Sequence, residues 1–254
     1  LDNVLVKFLR KTLIAGLVCS AFNCVATPNI TAKAWLVADE SGKVLEGVNT
    51  TDVRSIASIS KLMTAMVVLD AQLPMDEVVS TKLHNRPLTR KQLLDLAVVH
   101  SDNQAAKILC ETYPGGMHEC VSNMNFKAFM LQMPDTKFVE PTGLSNFNVS
   151  TAQDLLKLVS AASKYPEIVS ASNTSSVRIS SVKKKKTFWQ EFHNTNPTVG
   201  HGIDYLVSKT GYINSSGGCI VMMLNTVNGI RTVVLLGSKN TKTRIPEAQL
   251  IAYR

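Results

Sequence analysis

Arg54-Ser55-Ile56-Ala57-Ser58-Ile59-Ser60-Lys61-Leu62-Met63-Thr64-Ala65-Met66-Val67-Val68-Leu69-Asp70 is the stretch from which the rest of the chain can be read. From Ile59 onward it holds helix formers, no Gly or Pro, and apolar residues at helical spacing, which predicts a helix closed off by Pro74. Ser58 falls near the start of that helix, where backbone N–H groups lack intrahelical partners and the dipole favours negative charge. Lys61 follows three residues later, so its amine and the Ser58 hydroxyl share one face. A lysine held beside a serine in a partly dry site can lose its proton and act as the base that activates the hydroxyl. Alone, the pair also fits an N-cap serine followed by a solvated lysine, so its meaning rests on partners elsewhere.

Two later triplets supply such partners. Ser101-Asp102-Asn103 sits between a helix that Thr89 can cap and a second helix over Gln104 to Glu111, so its side chains can project into a cleft. Ser101 can relay a proton, and Asn103 can hydrogen-bond a substrate amide or hold Lys61, although Ser, Asp and Asn also favour plain capping turns. Lys209-Thr210-Gly211 ends the Tyr205–Thr210 strand. It offers a positive charge, a hydroxyl and a position without a side chain, where an extended peptide can pair with a strand edge and a carboxylate can dock.

The remaining elements follow the same punctuation. Ala34 to Ala38 reads as a strand, Asp39-Glu40-Ser41-Gly42 as a turn and Lys43 to Val48 as the return strand. Residues 75–88 read as loop. Pro114-Gly115-Gly116 breaks the chain before a helix to about Met133, Thr142-Gly143-Leu144 is a turn, and Ser150 or Thr151 caps a helix through Leu155, Leu156 and Val159. Cys219 to Thr226 and Arg231 to Leu236 are strands joined by the hairpin signal Val227-Asn228-Gly229, and Ser215-Ser216-Gly217-Gly218 turns the preceding strand into them. Pro246 opens a short C-terminal helix. Strands come from both ends and helices from the middle, which predicts one antiparallel sheet with a helical insertion.

With 254 residues, 45% apolar and 18% charged, the chain has the composition of a globular protein with one large domain or two subdomains sharing a cleft. The net charge of +8 is unaccompanied by a zinc-finger spacing, an RNP pattern or a basic helix, so nucleic acid is not an expected partner. The Lys183–Lys186 run reads as a solvated loop or strand end, or as a contact for a carboxylate-bearing partner. Residues 1–26 read as a secretory signal: Lys7, Arg10 and Lys11 precede an apolar Thr12–Phe22, and cleavage is expected after Ala26 without a lipoprotein box. Export leaves Cys110, Cys120 and Cys219, an odd number; Cys110 and Cys120 can pair across the Pro-Gly-Gly turn while Cys219 lies in an apolar run. His84, His100, His118, His193 and His201 have no ligand spacing, and neither a metal nor a cofactor is expected.

Taken together, S-x-x-K, S-D-N and K-T-G, in that order on helix, inter-helix loop and late strand, form the motif set of penicillin-binding proteins and class A β-lactamases. From about Trp35 to the C-terminus the chain resembles the low-molecular-mass penicillin-binding proteins of the D-alanyl-D-alanine carboxypeptidase/endopeptidase family. Residues 56–71 are most similar to its endopeptidase branch, as are Phe138-Val139-Glu140-Pro141-Thr142-Gly143-Leu144, Asn148-Val149-Ser150-Thr151-Ala152 and Asn194-Thr195-Asn196. The resemblance implies an α+β fold: a five-stranded antiparallel sheet flanked by helices, with a catalytic unit over 27–254 and a helical subdomain over roughly 75–165. It implies that Ser58 attacks a D-alanine carbonyl with Lys61 as base, that Ser101 assists the leaving amine, and that Asn103, Lys209, Thr210, Gly211 and Tyr212 bind substrate. The oxyanion would lie between the backbone N–H groups of Ser58 and Tyr212. Peptidoglycan stem peptides and cross-links are the implied substrates, β-lactams the covalent inhibitors, and the periplasm the location, with at most peripheral association with membrane or cell-wall complexes.

Two departures from the family accompany the match. The stretch between Asp70 and Ser101 is shorter and is expected to lack a hairpin beside the site, and a C-terminal β-domain and anchor helix like those of the membrane-bound carboxypeptidases are not expected. Trimming of pentapeptide stems by a carboxypeptidase is the alternative that uses the same residues. A β-lactamase would need a deacylating glutamate; Glu140-Pro141 resembles that element, but the expected Asn is replaced by Leu144. A sensor on this fold would keep the cleft and lose turnover.

Overall fold

A computed structural model describes residues 30–80, 83, 86–183 and 186–253. The secretory signal expected over 1–26 and His84 lie outside them. The principal sheet has five antiparallel strands in the order β2 (Val44–Val48), β1 (Ala34–Ala38), β11 (Gly229–Ser238), β10 (Gly217–Thr226) and β9 (Tyr205–Ile213). The pairing of Ala34 with Leu236 brings the two ends of the chain together in the middle of the sheet, as the strand distribution predicts.

Period-two alternation explains why β1 is buried at all five positions. Ala34, Leu36 and Ala38 face a large core with α1 (Ser60–Asp70), while Trp35 and Val37 face α7 (Arg244–Ala252) on the other side. On β11, Val234 and Leu236 join the first core and Val233 and Leu235 the second. The sheet is therefore a middle layer, which lets polar side chains of β9 reach a cleft between sheet and helices.

The helical part contains α2 (Arg90–Asp95), α3 (Asn103–Glu111), α4 (Gly116–Met130) and α5 (Ala152–Ala162). Thr89 caps α2 in a reciprocal capping box with Gln92, and Thr151 caps α5 through Asp154 N–H. Cys110 and Cys120 form a disulfide joining α3 to α4, and Cys219 is a free, buried thiol.

Several elements lie beyond the sequence expectations. The stretch read as loop over 75–88 contains a short antiparallel ladder of β4 (Val78–Ser80) and β5 (Leu88–Thr89), so the segment expected to lack a hairpin carries a small one. Arg54–Ser55 (β3) pairs with Val149–Ser150 (β6), and α6 (Pro166–Asn173) begins with Pro at its first turn. A long hairpin joins β7 (Ser176–Lys183) to β8 (Lys186–His193), so the lysine run falls where the two strands meet.

Candidate functional site

Ser58 lies in a 3-10 turn, Ala57–Ile59, that leads directly into α1. The residue before it, Ala57, is held at φ 47°, in the left-handed region that a residue with a Cβ rarely enters. That conformation is tied down from several sides. Ser60 Oγ donates to Ala57 O at 2.9 Å, Asn148 Nδ2 donates to Ser60 Oγ at 2.9 Å, and Ile56 N donates to Asn148 O at 3.1 Å. Gly143, at φ +80°, passes so close that a Cβ there would stand 1.9 Å from Ala57 O. Only glycine fits that position.

Lys61 is wholly buried, whereas Ser58 is half-buried and faces the cleft. The Lys61 Nζ stands 2.9 Å from Ser58 Oγ, 2.7 Å from Asn103 Oδ1 and 2.6 Å from Thr142 O. The last two partners are carbonyl oxygens, which only accept, whereas the serine hydroxyl can also donate. A neutral amine at Nζ can therefore give its two hydrogens to Asn103 and Thr142 and turn its lone pair toward the Ser58 O–H. Burial lowers the Lys61 pKa to about 7, against the opposing pull of the Glu140 and Asp102 charges. Among the described residues no carboxylate lies within 4.0 Å of this nitrogen.

The Thr142 carbonyl is aimed by Glu140. Its carboxylate accepts from Thr142 N (2.7 Å), Thr142 Oγ1 (2.5 Å), Gly143 N (2.6 Å) and Ser145 N (3.3 Å). Thr64 Oγ1 holds the same loop from α1 by donating to Pro141 O at 2.8 Å. Glu140, the candidate deacylating residue of the β-lactamase reading, is thus engaged in holding a turn.

The second triplet divides its work. Ser101 ends a π-helical turn, Leu96–His100, at φ 61°, and the middle residue Asp102 caps α3 by accepting from Ala105 N at 2.9 Å. That frees the flanking Ser101 and Asn103 for the cleft. Lys209 Nζ, also fully buried, donates to Ser101 Oγ at 2.8 Å and to Thr210 O at 3.1 Å. Burial, reinforced by the positive charges of Lys61 and Arg244, pushes the Lys209 amine well below its ordinary pKa.

The third triplet lies on β9, the edge strand of the sheet. Thr210 Oγ1 donates to Thr195 Oγ1 at 2.7 Å. A Cβ on Gly211 would meet both Ile56 O and Ser58 N at 3.0 Å, so the strand runs directly against the backbone of the serine. Tyr212 follows, with its ring exposed at the rim, and Arg244 from α7 donates to Gly211 O at 2.8 Å from behind.

The structure thus brings Ser58, Lys61, Ser101, Asn103, Lys209, Thr210, Gly211 and Tyr212 to one cleft. Of the residues that aim them, Thr142, Gly143, Asn148, Thr195 and Arg244 carry no catalytic or binding role in the sequence reading, and Glu140 enters it only as the glutamate of the β-lactamase alternative. The stretches around residues 138–148 and 194–196 were legible as similar to the family, and that similarity is the signal that marks them.

A serine and a buried amine sharing one hydrogen bond, beside a second serine–lysine pair and an open strand edge, define an active-serine hydrolase site of the S-x-x-K class. The model of the D-alanyl-D-alanine carboxypeptidase family, peptidase family S11, matches residues 21–85 and 74–240. The chain is 37% identical over 245 residues to the D-alanyl-D-alanine endopeptidase of Escherichia coli, covering 90% of this chain and 78% of that protein. It is 37% identical over 229 residues to the D-alanyl-D-alanine endopeptidase of Pseudomonas aeruginosa, covering 84% and 73%. Among solved structures, cefotaxime-bound penicillin-binding protein D2 from Listeria monocytogenes superposes with a TM-score of 0.75 at 27% identity, covering 89% of this chain and 98% of that one. The chain belongs to the D-alanyl-D-alanine carboxypeptidase family of serine peptidases.

Proposed function

We propose that the protein is a penicillin-sensitive serine peptidase that cuts D-alanyl cross-links in peptidoglycan. The observation that carries the reading is the Lys61 amine, dry and held by two acceptors so that its third direction faces Ser58. In this mechanism the Ser58 O–H gives its proton to Lys61 Nζ as Oγ attacks the carbonyl of a D-alanine residue. The oxyanion is received between the backbone N–H groups of Ser58 and Tyr212, a reading supported by the close approach of Gly211 to Ser58 N. Ser101 passes a proton to the departing amine, and water then hydrolyses the acyl-enzyme. The Asn103 amide N–H₂ faces a substrate carbonyl while its oxygen holds Lys61. Lys209 and Thr210 receive a substrate carboxylate, and Gly211 leaves room for the peptide to lie along the β9 edge.

Cleavage of the cross-link, rather than trimming of a stem, is favoured because the relatives at 37% identity carry the endopeptidase name. The motif atoms serve both, since the diamino acid of a cross-link carries its own carboxylate beside the cut. We further propose that residues 1–26 direct export to the periplasm and that 27–254 form the catalytic unit, its helical part inserted over roughly 75–165. No helix among the described residues is long and apolar enough to cross a membrane.

Intact-mass measurement after exposure to penicillin tests the chemistry: one adduct is expected on the parent and none on Ser58→Ala. Labelling that persists in the alanine variant removes Ser58 from the mechanism. Digestion of cross-linked peptidoglycan with mass analysis of the products tests the bond. Loss of cross-linked dimers is expected, whereas intact dimers together with shortened pentapeptides would identify a carboxypeptidase.

A further inference from the structure

The β7–β8 hairpin takes no part in that chemistry, yet it rises from the wall of the cleft. At its base, His100 Nδ1 bonds to His193 O at 3.0 Å and Thr195 N donates to Val99 O at 3.1 Å, beside Ser101. One face of the hairpin is buried at Ile179 and Phe192 and exposed further out, at Gln190 and Phe188. The other holds the cross-strand pairs Ser180–Trp189 and Arg178–Glu191, all exposed, and Trp189 is 60% exposed. The other tryptophan, Trp35, is buried at 6% exposure.

We propose that this face, centred on Trp189 and flanked by Arg178, Ser180 and Glu191, docks the glycan strand of peptidoglycan, with an amino-sugar ring lying on the indole. The inference rests on the peptidoglycan reading above and adds a subsite to it. A pyranose offers an apolar C–H face and a rim of hydroxyls, and an N-acetyl group adds an amide. An exposed indole bordered by a guanidinium, a hydroxyl and a carboxylate answers each of these. The Arg178 guanidinium stands over the ring at 5.5 Å, and the Trp189 side chain is still mostly open to solvent.

The platform is also held at a fixed place. Arg86 donates to Ile179 O at 2.7 Å and to Gln190 Oε1 at 3.1 Å, clamping the hairpin at the level of Trp189. From His193 back to Trp189 is four residues of strand, about 13 Å. In a pentapeptide stem, the bond before the terminal D-alanine lies four residues from the sugar, also about 13 Å when extended. The stem and the hairpin wall are thus of similar length, and the wall leads from the Ser101 side of the cleft to Trp189. Continuity of this face with the cleft wall selects the substrate's own continuation as its occupant.

Sedimentation with peptidoglycan sacculi tests the proposal, using Ser58→Ala protein so that the polymer stays intact. Adding Trp189→Ala should weaken binding about tenfold, the loss of one stacking contact, whereas Trp189→Tyr should retain it. Peptide-free glycan strands should compete with sacculi for Ser58→Ala protein, and Trp189→Ala on the otherwise intact enzyme should be acylated by penicillin at the parental rate. Failure of glycan strands to compete, or equal binding by the Trp189→Ala protein, overturns the proposal. So does dependence on Trp189 that appears only with vesicles of anionic phospholipid. Absence of penicillin acylation at Ser58 would instead strike the peptidase reading, so the two failures are separable.

Discussion

Two buried lysines each touch a serine in this cleft, and their surroundings differ. Lys61 meets Ser58 with two carbonyl oxygens completing its shell, and the nearby Glu140 and Asp102 charges moderate the cost of burial. Lys209 meets Ser101 and its neighbour's carbonyl, and the charges that act on it, Lys61 and Arg244, are positive. The first environment suits an amine that must take and return a proton near neutrality. The second pushes its amine toward the neutral form, and in the proposed function an arriving substrate carboxylate would favour the charged form instead. Under the proposed mechanism similar residue pairs carry different chemistry, because the partners beyond the pair differ.

The comparison can be broken by experiment. Lys61→Ala should lower the penicillin acylation rate about a thousandfold, the scale of a lost general base, measured by stopped-flow before the steady state. Acidification should reach the same step in the parent. With the Lys61 pKa at about 7, the neutral amine is depleted as pH falls, so acylation should drop about tenfold per pH unit below that midpoint and level off above it. A pH–rate profile flat from neutrality to pH 5 would remove Lys61 as the base. Lys209→Ala should weaken capture of carboxylate-bearing substrates by about ten- to a hundredfold, as for a lost charge-assisted hydrogen bond, and spare esters of the same compounds. Equal losses for acid and ester would end the division of labour. The smallest effect belongs to Glu140→Gln. It removes a negative charge that raises the Lys61 pKa, so the acid limb of the profile should move to lower pH, with some loss of rate as the Thr142 turn loosens.

What was legible in the sequence follows from distance along the chain. Ser58 and Lys61 are three residues apart on helical geometry, so their meeting could be foreseen; the Thr142 carbonyl that completes the shell lies far along the chain, in a turn that local spacing does not connect to α1. The sheet was readable because Val227-Asn228-Gly229 and the alternating strands carry period-two and turn signals. The β7–β8 hairpin was not. Its strands meet within a run of lysines, with none of the Gly, Asn or Pro that mark a tight turn, and its outward face is polar apart from an aromatic. Asp102 is a different case: it makes the capping turn, while the residues on either side of it bond Lys209 and Lys61 across the cleft.

The pairing of Ala34 with Leu236 has a consequence for the order of events in biosynthesis. A ribosome releases the N-terminal strands long before the strand that will lie between β1 and β10 exists. Until then β1 has one sheet edge without its native neighbour, and its apolar side chains lack the partners that bury them. The native sheet can close only after β11 has been made, and a partner so remote is slow to find. In a chain arranged in this way the central pairing of the sheet forms late. Assembly of the cleft, which sheet and helices wall together, is thereby postponed until β1 and β11 are both present.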